Sequence, residues 1–303
     1  MRESYIKDTT ASRIFDVFNI MLMLLLIFIM VYPFWNQLVV SLNEGADGQK
    51  GGLYWWPRVF TLQNYIYILS SKNLLRAVGV SVLRVVVGTV TCLFFSGLVA
   101  YITTIKWFSA HRVLRVVFVL SMYFSGGLIP TYLWFMKLGL LETFSVYWIP
   151  GLINAYYMML IASYISGLPD SLAESARLDG ANETKIYIRI ILPMCLPVMA
   201  ALAIMCAVGH WNSWFDVMIY NPSGKWNTLQ MLLRDILIKS EKLQELMKDA
   251  TSGSGQVKAM AQRITTNSMR AATTMVVTLP IVFVYPYFQK YFIKGISVGA
   301  VKG

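Results

Sequence analysis

Charge is scarce in this chain. Of its 303 residues 14% are Asp, Glu, Lys or Arg against 57% hydrophobic, and histidine occurs twice. With a positive mean hydropathy, that composition excludes an ordinary soluble domain and makes a bilayer the expected solvent. His111 and His210 are too few for a usual metal cluster. No HExxH or DxDxDG pattern occurs, which leaves no recognisable zinc hydrolase or calcium loop. A phosphate-cradling loop needs glycine five residues before a Gly-Lys pair and Ser or Thr after it. Here Gly224-Lys225 has Ile219 and Trp226 at those places, so the chain does not bind ATP by that device. Cys92, Cys195 and Cys206 form no CxxC or His-paired spacing and lie in apolar stretches, so they read as small packing residues.

What is present is length of apolar sequence. Six blocks reach about 20 residues, enough for a helix to cross a hydrocarbon core of about 30 Å. They cover residues 18–40, 77–101, 113–135, 144–165, 194–215 and 271–292. The first has too long an apolar core for a signal peptide, follows acidic residues and precedes no small-residue cleavage site, so it reads as a retained anchor. The expected class is an all-α integral membrane protein forming one membrane-spanning domain, residues 1–303.

Orientation follows from short loops rich in Lys and Arg, which stay in the cytoplasm. One side collects twelve such residues: Arg2, Lys7, Arg13, Lys106, Arg112, Arg115, Arg177, Lys185, Arg189, Lys290, Lys294 and Lys302. The other side's short loops hold five: Lys50, Arg58, Lys72, Arg76 and Lys137. Both termini are therefore expected on the cytoplasmic side. The net charge of +11 is explained by these clusters, and no continuous basic face points to nucleic acid. On the outer side a Gly- and Trp-rich stretch after residue 41 reads as a structured cap. The longest polar segment, 217–270, carries a helical pattern from Leu229 to Met247 and a flexible SGSG at 252–255. It has eight basic residues against Asp235, Glu241, Glu245 and Asp249, and reads either as a solvated face or as a contact for an outside protein or acidic solute.

Between the fourth and fifth blocks the polar loop 166–193 contains SLAESARLDGANETKIYIRIILP, residues 171–193. Ser171 followed by Glu174 predicts a capping box, and Gly180 suits the left-handed residue that ends a helix. The helix between them is too short to stand alone in water and needs a partner surface or a lipid surface. Residues 185–193 then lead straight into the fifth block. An Asn-x-Thr match at Asn182 is a chance hit on the cytoplasmic side.

This stretch resembles the permease subunits of ABC importers, whose cytoplasmic signature is E-A-A, three residues, glycine, about nine residues, then I-x-L-P. Glu174, Ser175 and Ala176 stand for E-A-A, with serine replacing the middle alanine. Gly180 stands at the required distance, and Ile190, Leu192 and Pro193 close the signature. The tail YFIKGISVGAVKG (291–303) and HWNSWFD (210–216) are similar to the MalG-like subunits of carbohydrate importers. The long segment before the last span is similar to a Gram-positive branch that handles complex or plant oligosaccharides.

The resemblance implies the type I importer permease fold with six transmembrane helices and a coupling helix around residues 174–180, together with Arg177 and Asp179, seated on a separate ATPase. Glu174 would pair with a basic group there, Gly180 would permit the turn, and Pro193 would fix where the fifth span begins. It also implies a second homologous permease subunit, two cytoplasmic ATPase subunits that supply ATP and magnesium chemistry, an extracellular solute-binding protein and an oligosaccharide substrate. This chain itself would carry no cofactor and no enzymatic activity. The solute path is sought among polar and aromatic groups in spans: Arg84, Asn154, Tyr156, Tyr157, His210, Trp211, Asn212, Trp214 and Asp216. Each has a structural alternative: Arg84 pairs with a neighbour or snorkels, Tyr156 and Tyr157 pack, and the group at 210–216 anchors at the interface. An importer for another solute class, a self-sufficient secondary transporter and a membrane-embedded enzyme are the competing readings. The second needs repeated halves and ion-coupling charges, and the third a nucleophile-base constellation.

Overall fold

A computed structural model describes residues 10–71, 73–249 and 265–300. The SGSG at 252–255, Arg2, Lys7 and the last three residues of the tail lie outside them. The described chain is helical, and pairing outside helices is limited to one isolated bridge between Asn43 and Phe60. It divides into two compact units, residues 1–71 with 236–278, and residues 72–235 with 279–303.

In the first unit α1 (Thr10–Ser41) is apolar on all sides, and its side chains from Ile14 to Trp35, half-buried Tyr32 apart, are exposed. A helix of that kind belongs in lipid. Pro33 lies inside it. The stretch after α1 is ordered by buried polar side chains around α2 (Gly45–Gly48) and α3 (Gln63–Leu69). Asn43 accepts from the Val59 amide at 2.9 Å and donates to Asp47, which also binds the Arg58 guanidinium at 2.9 Å. Asn64 donates to the Ser41 carbonyl at 2.9 Å and accepts from Ser268 at 3.0 Å. Trp35 donates to the Trp55 carbonyl at 3.0 Å, so the aromatic cluster expected at the membrane interface is held by the end of α1.

The second unit is built on α4 (Leu74–Thr104). Its buried stripe is made largely of small residues, among them Ser81, Gly88, Cys92, Ser96, Gly97 and Ala100. Small residues let helices approach closely where lipid supplies no hydrophobic drive. Against them pack α7 (Ala155–Ile165) and α11 (Leu196–Asn212), which contribute Met158, Ile161, Ala162, Met199 and Leu202 to one apolar core. The three cysteines are buried and unbridged.

Several apolar blocks do not become uninterrupted helices. Block 113–135 forms α5 (His111–Ser121) and α6 (Leu128–Lys137), parted at Ser125-Gly126-Gly127, where Gly127 has φ 82°. In block 144–165 a 3₁₀ turn (Phe144–Tyr147) and Pro150-Gly151 precede α7. Among the described residues two helices, α1 and α4, are long and apolar enough to cross a membrane. A third crossing results if the bent pair Glu183–Met194 and Leu196–Asn212 is one span. The reason is local: hydropathy windows count apolar side chains, whereas Gly pairs and Pro decide whether the backbone stays helical.

The polar loop holds α8 (Ser171–Leu178), α9 (Glu183–Ile186), a π turn (Tyr187–Ile191) and α10 (Leu192–Met194) before α11. Beyond α11 come α12 (Phe215–Tyr220), α13 (Leu229–Asp249) over the expected helical pattern, and α14 (Thr266–Ala300), with Pro280 and Pro286 inside it. Glu241 and Arg270 of α13 and α14 form an ion pair at 2.8 Å.

Candidate functional site: the polar loop and its anchorage

The helix α8 starts differently from expectation. Its N-cap is Asp170, in a helical conformation and without a side-chain cap, and the predicted Ser171–Glu174 box does not form. Pro169 supplies the physical reason: with φ fixed it begins the turn early, its carbonyl accepting from the Leu172 amide at 3.3 Å and that of Asp170 from Glu174 at 3.1 Å. Ser171 is thus inside the first turn. The Asp170 carboxylate is instead 2.6 Å from Lys106, which lowers its pKa below the ordinary carboxylate value by hydrogen bonding and charge. Both groups are exposed, so the pair adds little stability.

The far end behaves as the sequence predicts. Gly180 has φ 79°; its amide donates to the Arg177 carbonyl at 3.0 Å and that of Ala181 to the Ala176 carbonyl at 2.9 Å. This is the paired closure of a Schellman end. Asn182 then begins α9, its side-chain oxygen accepting from the Lys185 amide at 2.9 Å. The supposed chance sequon is therefore a helix cap.

Between these ends α8 has two faces. Ala176 is buried and Ala173 half-buried, whereas Ser171, Glu174, Ser175, Asp179 and Gly180 are exposed, and Leu178 is 90% exposed. An exposed leucine beside exposed acidic groups on a short helix is a surface suited to a protein partner. Arg177 departs from its neighbours. Its Nε donates to Glu183 at 2.7 Å, a second nitrogen reaches the Tyr101 hydroxyl at 3.4 Å, and Tyr101 itself donates to Glu183. This contact holds the Glu183 carboxylate below its ordinary pKa and raises that of Arg177. Sequence reasoning missed Glu183 and Tyr101; the signal was a carboxylate six residues beyond Arg177, across a glycine turn.

The closing residues lead into the bend. Ile190 and Leu192 pack at the edge of the core and Pro193 is exposed within α10. The chain turns by 80° around Cys195, and Pro197 occupies the first turn of α11. The change of direction thus falls two residues after Pro193.

Among the solute-path candidates the structure brings Arg84, Asp216 and His210 together. Arg84 is buried, forms an ion pair with Asp216, and stacks on Tyr147 at 4.6 Å. Asp216 also accepts from Ser213 at 2.7 Å and the Val217 amide at 2.9 Å. The His210 ring lies against Gly88, where a Cβ would meet it at 2.4 Å. Trp214 is covered by Arg234 at 4.4 Å, and Asn212 accepts from Gln230 at 3.2 Å. Trp211 is half-buried on α11. Asn154 caps α7 by accepting from the Tyr157 amide at 3.1 Å, a structural task, while the Tyr156 and Tyr157 rings tilt together at 6.0 Å with Tyr156 exposed.

A family model described as "Binding-protein-dependent transport system inner membrane component" matches residues 2–215, which include the polar loop and α4. The chain belongs to this family. The permease is 37% identical to Protein LplC of Bacillus subtilis over 98% of its own length and 97% of that protein. It is 34% identical to the polygalacturonan/rhamnogalacturonan transport system permease protein YtcP of the same organism, over 96% and 99%. Its fold matches a chain of a crystal structure of a bacterial ABC transporter involved in the import of the acidic polysaccharide alginate. That match has a TM-score of 0.78 and 25% identity, covering 94% of the permease and 99% of the other chain. The permease is thus a membrane component of a carbohydrate-type ABC importer, all-helical and membrane-spanning.

Proposed function

We propose that the permease takes up oligosaccharides by coupling ATP hydrolysis in two separate cytoplasmic ATPase subunits to alternating access, in a complex with a second homologous permease chain and an extracellular solute-binding protein. The observation that carries this is α8: a short helix with an exposed Glu174 and Leu178, ended by Gly180 and continuous through α9 and the π turn with the bent fifth block. ATPase closure pushes α8, and Glu174 supplies the charge that meets a basic group on the ATPase. Six spans place both termini and α8 inside. The sugar class rests on relatives named for polygalacturonan/rhamnogalacturonan and alginate. Solute meets Tyr156, Trp211, Trp214 and their neighbours along the path, while the Arg84–Asp216 pair holds the path's wall.

Tagged permease purified in mild detergent is expected to bring down an ATPase, and uptake by cells is expected to stop on ATP depletion. Recovery of no ATPase together with uptake that survives depletion would return the secondary-transporter reading. Competition of uptake by acidic and neutral oligosaccharides then assigns the substrate.

A further inference from the structure

The fifth block is the direct continuation of α8, yet the polar loop is fastened as firmly to the second span. Glu183 and Tyr187 are four residues apart and so share one helix face. Both meet α4: Glu183 receives the Tyr101 hydroxyl, and Tyr187 donates to the Phe94 carbonyl at 2.8 Å. Tyr187 is 1% exposed and stacks on Tyr101 at 5.9 Å. It fits only because Gly97 has no side chain, since a Cβ there would lie 2.7 Å from the Tyr187 hydroxyl. Arg177 completes the arrangement from α8 with two contacts to Glu183, at 2.7 and 3.2 Å. A two-nitrogen arginine contact fixes angle as well as distance.

We propose that Arg177, Glu183 and Tyr101 form a clasp that sets the angle of α8 and makes it move as one body with α4, so that Arg177 is a positioning residue and not a contact for the ATPase. This rests on the coupling function of α8 proposed above. With α8 turned by Arg177, the side chains left facing outward include Glu174, Ser175 and Leu178. The clasp gives α8 two outlets, α4 through side chains and α11 through the backbone.

The test uses the assembled importer in lipid nanodiscs, with spin labels on Ser171→Cys and Val90→Cys, both exposed positions, the first in the opening turn of α8 away from Glu174 and Leu178, the second on α4. The native cysteines are buried and stay unlabelled. In the otherwise wild-type complex the label-to-label distance is expected to be the same without nucleotide and with ATP plus orthovanadate. In Glu183→Gln and Tyr101→Phe a second distance is expected to appear with ATP plus orthovanadate, with its population raised about fivefold over the nucleotide-free state. Arg177→Gln is expected to behave likewise while recovering as much ATPase on the tag as wild type. A wild-type distance that changes on ATP binding overturns the clasp, as do variants that track wild type. Loss of ATPase from Arg177→Gln alone makes Arg177 a partner contact and overturns it also. Tyr101→Phe, which removes one hydroxyl, decides the matter if the charge variants assemble poorly. Absence of ATPase from the wild-type complex would instead defeat the coupling reading itself.

Discussion

Gly180 is the residue on which the polar loop turns, and its φ of 79° separates two effects. A Cβ there meets nothing within 4 Å, so the cost of Gly180→Ala is conformational, about 1–2 kcal/mol for an L-residue in the left-handed region. Uptake is expected to fall several-fold in that variant and to vanish in Gly180→Asp, which adds charge beside the exposed Asp179. Initial uptake rates at matched membrane levels would check both. Arg84 carries a different lesson. The alternatives of snorkelling, pairing or lining a pore were all open in the sequence, because no spacing rule joins it to Asp216, 132 residues away. Only 3% exposed, Arg84 makes the pair decisive. Asp216→Asn leaves a buried guanidinium without its carboxylate, a loss approaching about 3–5 kcal/mol. A clear drop in the melting midpoint of detergent-solubilised permease is expected, and it should be partly recovered in the Arg84→Met/Asp216→Asn double variant.

At the scale of elements the loop was the most legible part of the chain. Its stop at Gly180 and its run into the fifth block follow from backbone chemistry that neighbours in sequence decide. Its start was misread because Pro169 and Asp170, just outside the capping pattern, turn the helix one residue early. Asn182→Ala removes the cap of α9, worth about 1 kcal/mol, and is expected to lower uptake without expelling the chain from the membrane. A single thiol at Ser175→Cys should react with an impermeant maleimide in inside-out vesicles and not in intact cells, given that the three native cysteines are buried. Labelling from outside would invert the orientation. The Arg177–Glu183 pair also has a pH sign. Its carboxylate titrates below the ordinary value, so its contribution is present above about pH 4 and is lost as pH falls through the lowered pKa. Coupling through it is expected to be indifferent to pH across the neutral range, as measured by ATP hydrolysis in nanodiscs.

For the molecule as a whole, composition and apolar block length sufficed to assign lipid as solvent and helix as the dominant secondary structure of the described residues. The number of crossings was less legible than the class. Apolar windows at 113–135 and 144–165 contain Gly-Gly and Pro-Gly steps that part them into shorter pieces. The contrast between α1, none of whose apolar window is buried, and α4, 44% buried, was invisible to hydropathy, since lipid and a neighbouring helix are equally apolar. Leu25→Arg, at the exposed middle of α1, is expected to cost about 2.5–3.5 kcal/mol of insertion and to reduce permease in the membrane fraction. The equally radical Leu178→Arg, on the polar loop, should leave that fraction unchanged.

The 80° turn at Cys195 sets the run from Glu183 to Met194 as an arm nearly crosswise to α11. Twelve helical residues reach about 18 Å, so a swing of about 10° about the elbow displaces the far end by about 3 Å. Under the proposed coupling, a push of about 3 Å at Glu183 would become a rotation of about 10° at α11.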